Sequence, residues 1–237
     1  MTSPAHAVFI GDGSGNLYDL DVSTNTSTLI GNSGVTMFDI ALDPISGTLY
    51  GVTGGGSLMS IDTTNASTTL IGSTASVNGL TFDSSGVLYG TGGSSLVSID
   101  TSTGAFSLLG NTGYTSSGDI AFDSSGNLFL SATGGDQLID ITSTLLGGSG
   151  SLIGNIGFSG VYGLNFDSFD TLYGFTSAGS TLTIDTTTGA GTAIAMNGIA
   201  TYGADGVGGV SVPEPSILAL LSIGLVGLGF ARKKVRT

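Results

Sequence analysis

The 237-residue chain has no cysteine, no tryptophan, one histidine, one glutamate, and four basic residues against 17 acidic ones. Each shortage removes a class of chemistry. Without cysteine there is no disulfide, no thiolate metal ligand and no cysteine nucleophile, and nothing is said about redox compartment. With His6 as the sole imidazole, near the start of the chain, a Ser-His-Asp triad or a histidine metal centre is excluded. Glu214 is the only glutamate, so paired-carboxylate glycosidase chemistry would need two aspartates, and no such pair stands out. All four basic residues, Arg232, Lys233, Lys234 and Arg236, lie at the extreme C-terminus. The rest of the chain has no cation with which to displace phosphate counterions, which excludes nucleic acid as a partner. Charged residues make up 9% and apolar residues 40%, too apolar a balance for charge-driven disorder.

What the sequence has in abundance is glycine, 42 residues of it, and internal repetition. One phrase recurs as Asp39-Ile-Ala-Leu-Asp43 through Gly51, Gly79-Leu-Thr-Phe-Asp83 through Gly90, Asp119-Ile-Ala-Phe-Asp123 through Leu130, and Gly163-Leu-Asn-Phe-Asp167 through Gly174. Its shared aspartate falls at 43, 83, 123 and 167, a period near 40 residues. A second phrase follows each copy, in Leu58–Asp62, Leu96–Asp100, Leu138–Thr142 and Leu182–Asp185. A third closes the unit, as in Thr69-Leu-Ile-Gly72, Ser107-Leu-Leu-Gly110 and Ser151-Leu-Ile-Gly154. Apolar residues two apart place these phrases on strands: Met59 with Ile61, Val97 with Ile99 and Ile139 with Ile141 share one face. Asp-Ser-Ser-Gly at 83–86 and 123–126 reads as a hairpin turn in which Asp caps its own backbone, and so does the corner at 99–104 and 184–189. The shared aspartates are therefore turn residues, and Gly147–Gly150 is a turn rather than a phosphate loop.

Four short strands in roughly 40 residues, repeated, are the signature of a propeller blade. The fold class is all-β, a β-propeller-like body of about five four-stranded blades over residues 8–210, preceded by a leader remnant or flexible N-terminus at 1–7. A β-solenoid, with coils nearer ~20 residues, is the competing architecture. The phrase Phe-Asp-x-x-Gly-x-Leu-Tyr resembles blade repeats of bacterial secreted β-propellers but lacks the Trp-Asp signature of WD40 proteins. Residues 8–31 supply three strands of a blade without the first, and 205–210 stand where another first strand would begin, so the C-terminal strand is expected to complete the N-terminal blade. Tyr50, Tyr89, Phe129 and Tyr173 are read as blade packing, with a carbohydrate-stacking platform as the alternative if some are exposed. Carboxylates without basic partners would suit a calcium ion, yet Asp12-Gly-Ser-Gly-Asn16 breaks the EF-hand spacing, and no metal site, cofactor or catalytic residue is assigned.

Composition changes at Val212-Pro-Glu-Pro-Ser216, a stiff extended linker (211–216). An apolar stretch follows at 217–231, short for a ~30 Å hydrocarbon core, and then the basic cluster at 232–237. Positive charge directly after an apolar helix stays cytoplasmic, which leaves the body on the far side of the membrane. Pro-Glu-Pro, apolar helix and terminal Arg/Lys cluster, in that order, resemble the PEP-CTERM sorting signal. That resemblance implies export, a transient inner-membrane anchor at 217–231 and processing by an exosortase in a Gram-negative bacterium. Pro213, Glu214 and Pro215 would be the recognised residues, and Arg232, Lys233, Lys234 and Arg236 the retention cluster. It also implies a setting of exopolysaccharide, biofilm or extracellular matrix. Residues 1–10 carry no basic and apolar leader, while Ala5-His-Ala7 has the form of a cleavage site, so the coding start is expected to lie further upstream.

The expectation is a non-enzymatic, exported structural or binding propeller at the cell surface. The alternative is a propeller hydrolase or lyase acting on polysaccharide, which would gather aspartates and exposed aromatic rings at one end of the central channel. A channel mouth of Ser, Thr and Gly would suit adhesion instead.

Overall fold

The computed structural model describes residues 7–134 and 136–206. Its strands, in chain order, are β1 (Ala7–Asp12), β2 (Asn16–Asp21), β3 (Thr26–Asn32), β4 (Met37–Leu42), β5 (Leu49–Thr53), β6 (Ser57–Ile61) and β7 (Thr68–Ser73). They continue as β8 (Gly79–Phe82), β9 (Leu88–Gly92), β10 (Ser95–Ile99), β11 (Phe106–Asn111), β12 (Ser116–Phe122), β13 (Leu128–Ala132), β14 (Gln137–Asp140) and β15 (Ser151–Asn155). The last blade and the closing strand are β16 (Val161–Phe166), β17 (Leu172–Thr176), β18 (Ser180–Ile184), β19 (Gly191–Met196) and β20 (Thr201–Gly206). They form five four-stranded antiparallel sheets, four of consecutive strands and one ordered β20-β1-β2-β3. The five-bladed propeller read from the repeat is the fold.

The ring closes as the phrasing implies, with one shift of position. The strand completing the first blade is β20, paired with β1 from Val8 against Gly206 to Asp12 against Thr201. It starts four residues before the expected 205–210, because the apolar residues that usually mark a first strand are replaced here by Tyr202-Gly-Ala-Asp-Gly206.

Period-two alternation in the strands does not separate core from solvent. Leu58 and Ile61 point to opposite faces of β6, yet both are buried. Leu58 packs with Val77, Leu80 and Val97 of the next blade, whereas Ile61 packs with Leu17 of the preceding one. Every blade is sandwiched between two neighbours, and the five apolar clusters among the described residues are the five interfaces between blades. The aromatic residues singled out from the repeat lie in these interfaces. Tyr50 meets Phe82 at 5.5 Å, Tyr89 meets Phe122 at 5.3 Å, Phe129 meets Phe166 at 5.4 Å, and Tyr173 packs against the Val8–Phe175 cluster.

The aspartates of the turns act as predicted. Asp83 Oδ1 accepts the amides of Ser85 and Val87, Asp123 Oδ1 those of Ser125 and Asn127, and Asp167 Oδ1 those of Phe169 and Thr171. At the other corner Asp62, Asp100 and Asp185 accept from Thr64, Ser102 and Thr187. The fourth blade departs from this corner. There Asp140 accepts from Thr142, and a 3-10 helix, Thr142–Leu146, ends at Gly147 with φ 82°.

The glycine of the third phrase has its own function. The outermost strands leave Leu29, Leu70, Leu108 and Leu152 exposed, but Gly31, Gly72, Gly110 and Gly154 lie against the corner of the next blade. A Cβ at Gly72 would collide with the Thr103 carbonyl, and one at Gly154 with that of Thr188. The fifth junction replaces this contact by a hydrogen bond from Asn25 Nδ2 to the Met196 carbonyl, 2.9 Å. Gly72→Ala therefore forces two blades apart, and it is expected to lower Tm by roughly 3–10 °C in thermal unfolding followed by circular dichroism. An unchanged Tm would show that the junction does not need this close approach.

Candidate functional site at the central channel

Five first strands, β20, β4, β8, β12 and β16, surround the axis, and the same position in each is occupied by Gly203, Asp39, Gly79, Asp119 and Gly163. Gly203 makes room for an acid: a Cβ there would run into the Asp39 carboxyl. Asp39 and Asp119 are fully buried, and Asp205, two residues further along its strand, is half-buried at the channel wall, in a region of the chain without Lys, Arg or His.

These side chains stitch the inner strands together. Asp205 Oδ2 accepts the Leu42 amide at 2.8 Å, Asp39 Oδ2 the Leu80 amide at 2.6 Å and Asp119 Oδ2 the Leu164 amide at 2.6 Å. Asn165 Oδ1 accepts the Gly206 amide at 3.2 Å. The remaining pair, β8 and β12, is joined by Asn78 Nδ2 donating to the Ser116 carbonyl at 3.4 Å, with Thr91 and Ser116 hydroxyls also 3.4 Å apart. Each first strand is thereby tied to the next by a polar side chain.

Burial disfavours the charged form of all three acids. It pushes Asp205 up to about 7. Asp39 and Asp119 lie well above the ordinary carboxylate range, chiefly through burial, with the charge of Asp119 adding to the rise at Asp39. The two carboxyls influence each other across the axis.

The channel opens at two mouths of different character. One, a cavity of about 190 Å³, is lined by Phe38, Asn78, Ser117, Gly118, Tyr162 and Tyr202. The other, about 200 Å³, has Pro44, Ile45, Phe82, Phe122, Asp205 and Gly206 in its wall. The acid pair was not singled out from the repeat. Asp39 and Asp119 open alternate copies of the first phrase, with glycine in the copies between, and that alternation was the available signal. Among the described residues no group of three or more His, Asp or Glu side chains is arranged to hold a metal ion.

Gly206 ends the described residues at the second mouth, and residues 207–237 continue from there. The predicted recognition residues Pro213, Glu214 and Pro215, the anchor at 217–231 and the cluster Arg232, Lys233, Lys234 and Arg236 lie outside the described residues. Among those described, no helix is long and apolar enough to cross a membrane. Residues 211–234 match a known family. They are a PEP-CTERM protein-sorting motif. A PEP-CTERM motif implies export, a C-terminal membrane anchor before cleavage, and processing by exosortase, a membrane-associated sorting enzyme.

No curated protein matches the chain. Solved structures share the architecture of the body. A symmetrical protein described for its de novo evolutionary emergence, shaped by folding constraints, is 21% identical with a TM-score of 0.57, covering 84% of this chain and 93% of that one. A chain of the nidogen/laminin complex is 13% identical with a TM-score of 0.59, covering 89% of each. Virginiamycin B lyase from Staphylococcus aureus is 15% identical with a TM-score of 0.49, covering 82% of this chain and 68% of that one. For the first two, at these identities, the likeness is one of fold.

The channel acids set an unusual pH dependence. An acid whose folded pKa is raised keeps its proton in the folded state where the unfolded chain has lost it. The stability it contributes is complete below the unfolded value of 3.8 and is lost as pH rises through the folded value, about 7 for Asp205. The exposed corner acids Asp62, Asp100 and Asp185 are lowered by their hydroxyl and amide donors, so their contribution is lost as pH falls below 3.8. Stability measured by urea denaturation should therefore peak in mildly acidic buffer and decline by a few kcal/mol between about pH 4 and pH 8. Asp205→Asn should flatten the decline; a slope the same as wild type would remove Asp205 from this role.

Proposed function

We propose that the protein is exported, held at the inner membrane by residues 217–231 with its C-terminus in the cytoplasm, and released by exosortase to the cell surface or extracellular matrix. There the propeller serves as a non-enzymatic structural or binding module in an exopolysaccharide or biofilm setting. The PEP-CTERM motif at 211–234 carries this reading. The composition supports it: a body with 16 aspartates and no Lys or Arg, followed by a basic end, has the charge asymmetry of a chain whose tail stays inside while its body crosses.

The non-enzymatic part rests on how the acids are used. Asp39 and Asp119 are the only carboxyls paired in the channel among the described residues, and both are sealed from solvent and committed to backbone amides. A general acid or base must reach the proton it transfers. Two of the aromatic rings at the first mouth, Phe38 and Tyr202, are exposed, but no carboxylate lines that cavity.

Mass spectrometry of the protein from culture fluid, envelope and cytosol of the native host tests the proposal. The expected mature chain has lost the basic cluster and is found outside the cytoplasm. Replacing Pro213, Glu214 and Pro215 together by alanine should leave the chain uncleaved in the membrane. A chain ending at Thr237 and confined to the cytosol would overturn the assignment.

A further inference from the structure

The mouth at the N-terminal ends of the first strands differs from the rest of the ring. The residue just before the Asp/Gly position is Tyr162, Tyr202, Phe38, Asn78 and Gly118 around the five blades. Rings from three consecutive blades thus form one arc of the rim, and Asn78 with Ser117 and Gly118 forms the other. Phe38 is 42% exposed and Tyr202 39% exposed, while Tyr162 and Tyr202 meet edge to face with centroids 6.0 Å apart.

The rings are supported from behind. Gly54, in the turn after β5, lies so close to Phe38 that a Cβ there would be 2.5 Å from Phe38 Cζ. Gly13, at the same place after β1, lies so close to Tyr202 that a Cβ would be 2.8 Å from Cε2. Two blades use one device to hold an exposed ring in place. The polar arc offers hydrogen-bonding capacity that the fold does not consume. Ser117 Oγ is shielded and has no protein partner, and Asn78 spends its amide nitrogen on the Ser116 carbonyl, leaving its own carbonyl oxygen.

We propose that this mouth binds the terminal ring of a neutral polysaccharide, its C–H face stacked on Phe38, Tyr162 and Tyr202 and its hydroxyls bonded to Asn78 and Ser117. A saccharide has one face of C–H groups and a rim of hydroxyls, the complement of an aromatic arc facing a polar one. No charged side chain lines the cavity, so nothing there recognises an anion, and the acidic body repels one. A quaternary ammonium ligand calls for rings on all sides, whereas here two of the five blades bring none. The volume, about 190 Å³, is below the ~300–1,000 Å³ of sites for drug-sized molecules, which fits a chain end rather than a long segment. The proposal deepens the binding-module reading above, and this mouth is at the opposite end of the channel from Gly206.

Saturation-transfer NMR on the full-length protein in a detergent without a sugar headgroup tests the site, with cellotriose, maltotriose, chitotriose and choline as probes. At least one trisaccharide should show transfer, strongest on a terminal ring. Tyr202→Ala and Phe38→Ala should each weaken it about tenfold with an unchanged circular dichroism spectrum, and Tyr202→Phe should retain most of it. Absence of transfer to all three trisaccharides, binding unaffected by both alanine variants, or binding of choline alone would overturn the proposal. Because binding is read on purified protein, its failure leaves the sorting assignment intact, and a failure of sorting leaves the site intact.

Discussion

The interaction on which this molecule depends is the hydrogen bond from a backbone amide to an aspartate carboxylate. With no Lys, Arg or His among the described residues, a carboxylate there cannot be satisfied by an ion pair, and the main chain takes the cation's place. At the hairpins the bond is local, between an aspartate and amides two or four residues on, and it fixes the turn that lets a blade form. At the axis it is long-range: Asp39, Asp119 and Asp205 reach an adjacent first strand and hold the ring of blades together. Asp136 and Asp170 do the same at the periphery, Asp136 accepting the amides of Gly160 and Val161 and Asp170 that of Ser124. One chemistry therefore sets the hairpins and the spacing of the blades. The difference between its two settings is burial: the exposed corner acids are lowered by their donors, and the channel acids are raised by loss of water.

Much of this was legible in the sequence, and the reasons are local. An Asp-Ser-Ser-Gly turn is specified within four residues, and the 40-residue period gives the blade count directly. The roles of the two strand faces were not legible, because a strand buried on both sides has the same alternation of large and small residues as one that faces water on one side. Leu58 and Ile61 are distinguished only by which neighbour each touches. Asp39 and Asp119 could be seen, but their meeting depends on two strands 80 residues apart facing each other across the axis.

The aromatic mouth was hidden for another reason. A search for repeats keeps what recurs, and the position before each first phrase does not recur: it is Phe38, Asn78, Gly118, Tyr162 and Tyr202 in turn. Positions held constant between copies are those that every blade needs for its own folding or for its junction with the next, such as the turn aspartates and the glycines of the third phrase. A position at the rim of the shared axis that differs from copy to copy is free of that requirement, and differences there give an otherwise near-symmetric ring a distinct side.

The closing strand gives the ring a mechanical property. β20 is both the innermost strand of its blade and the last segment before the tail, so any pull transmitted from a tethered C-terminus enters the protein at Gly206. That load runs along β20 and is met by its whole ladder of hydrogen bonds to β1 in shear, with Asn165 Oδ1 holding the Gly206 amide and Asp205 holding the Leu42 amide on the other side. Bonds loaded in parallel must break together, whereas those at a peeled edge break one by one. Because β20 lies at the axis and not at the exposed perimeter, a load entering at Gly206 meets the ring where neighbouring blades hold that strand on both sides.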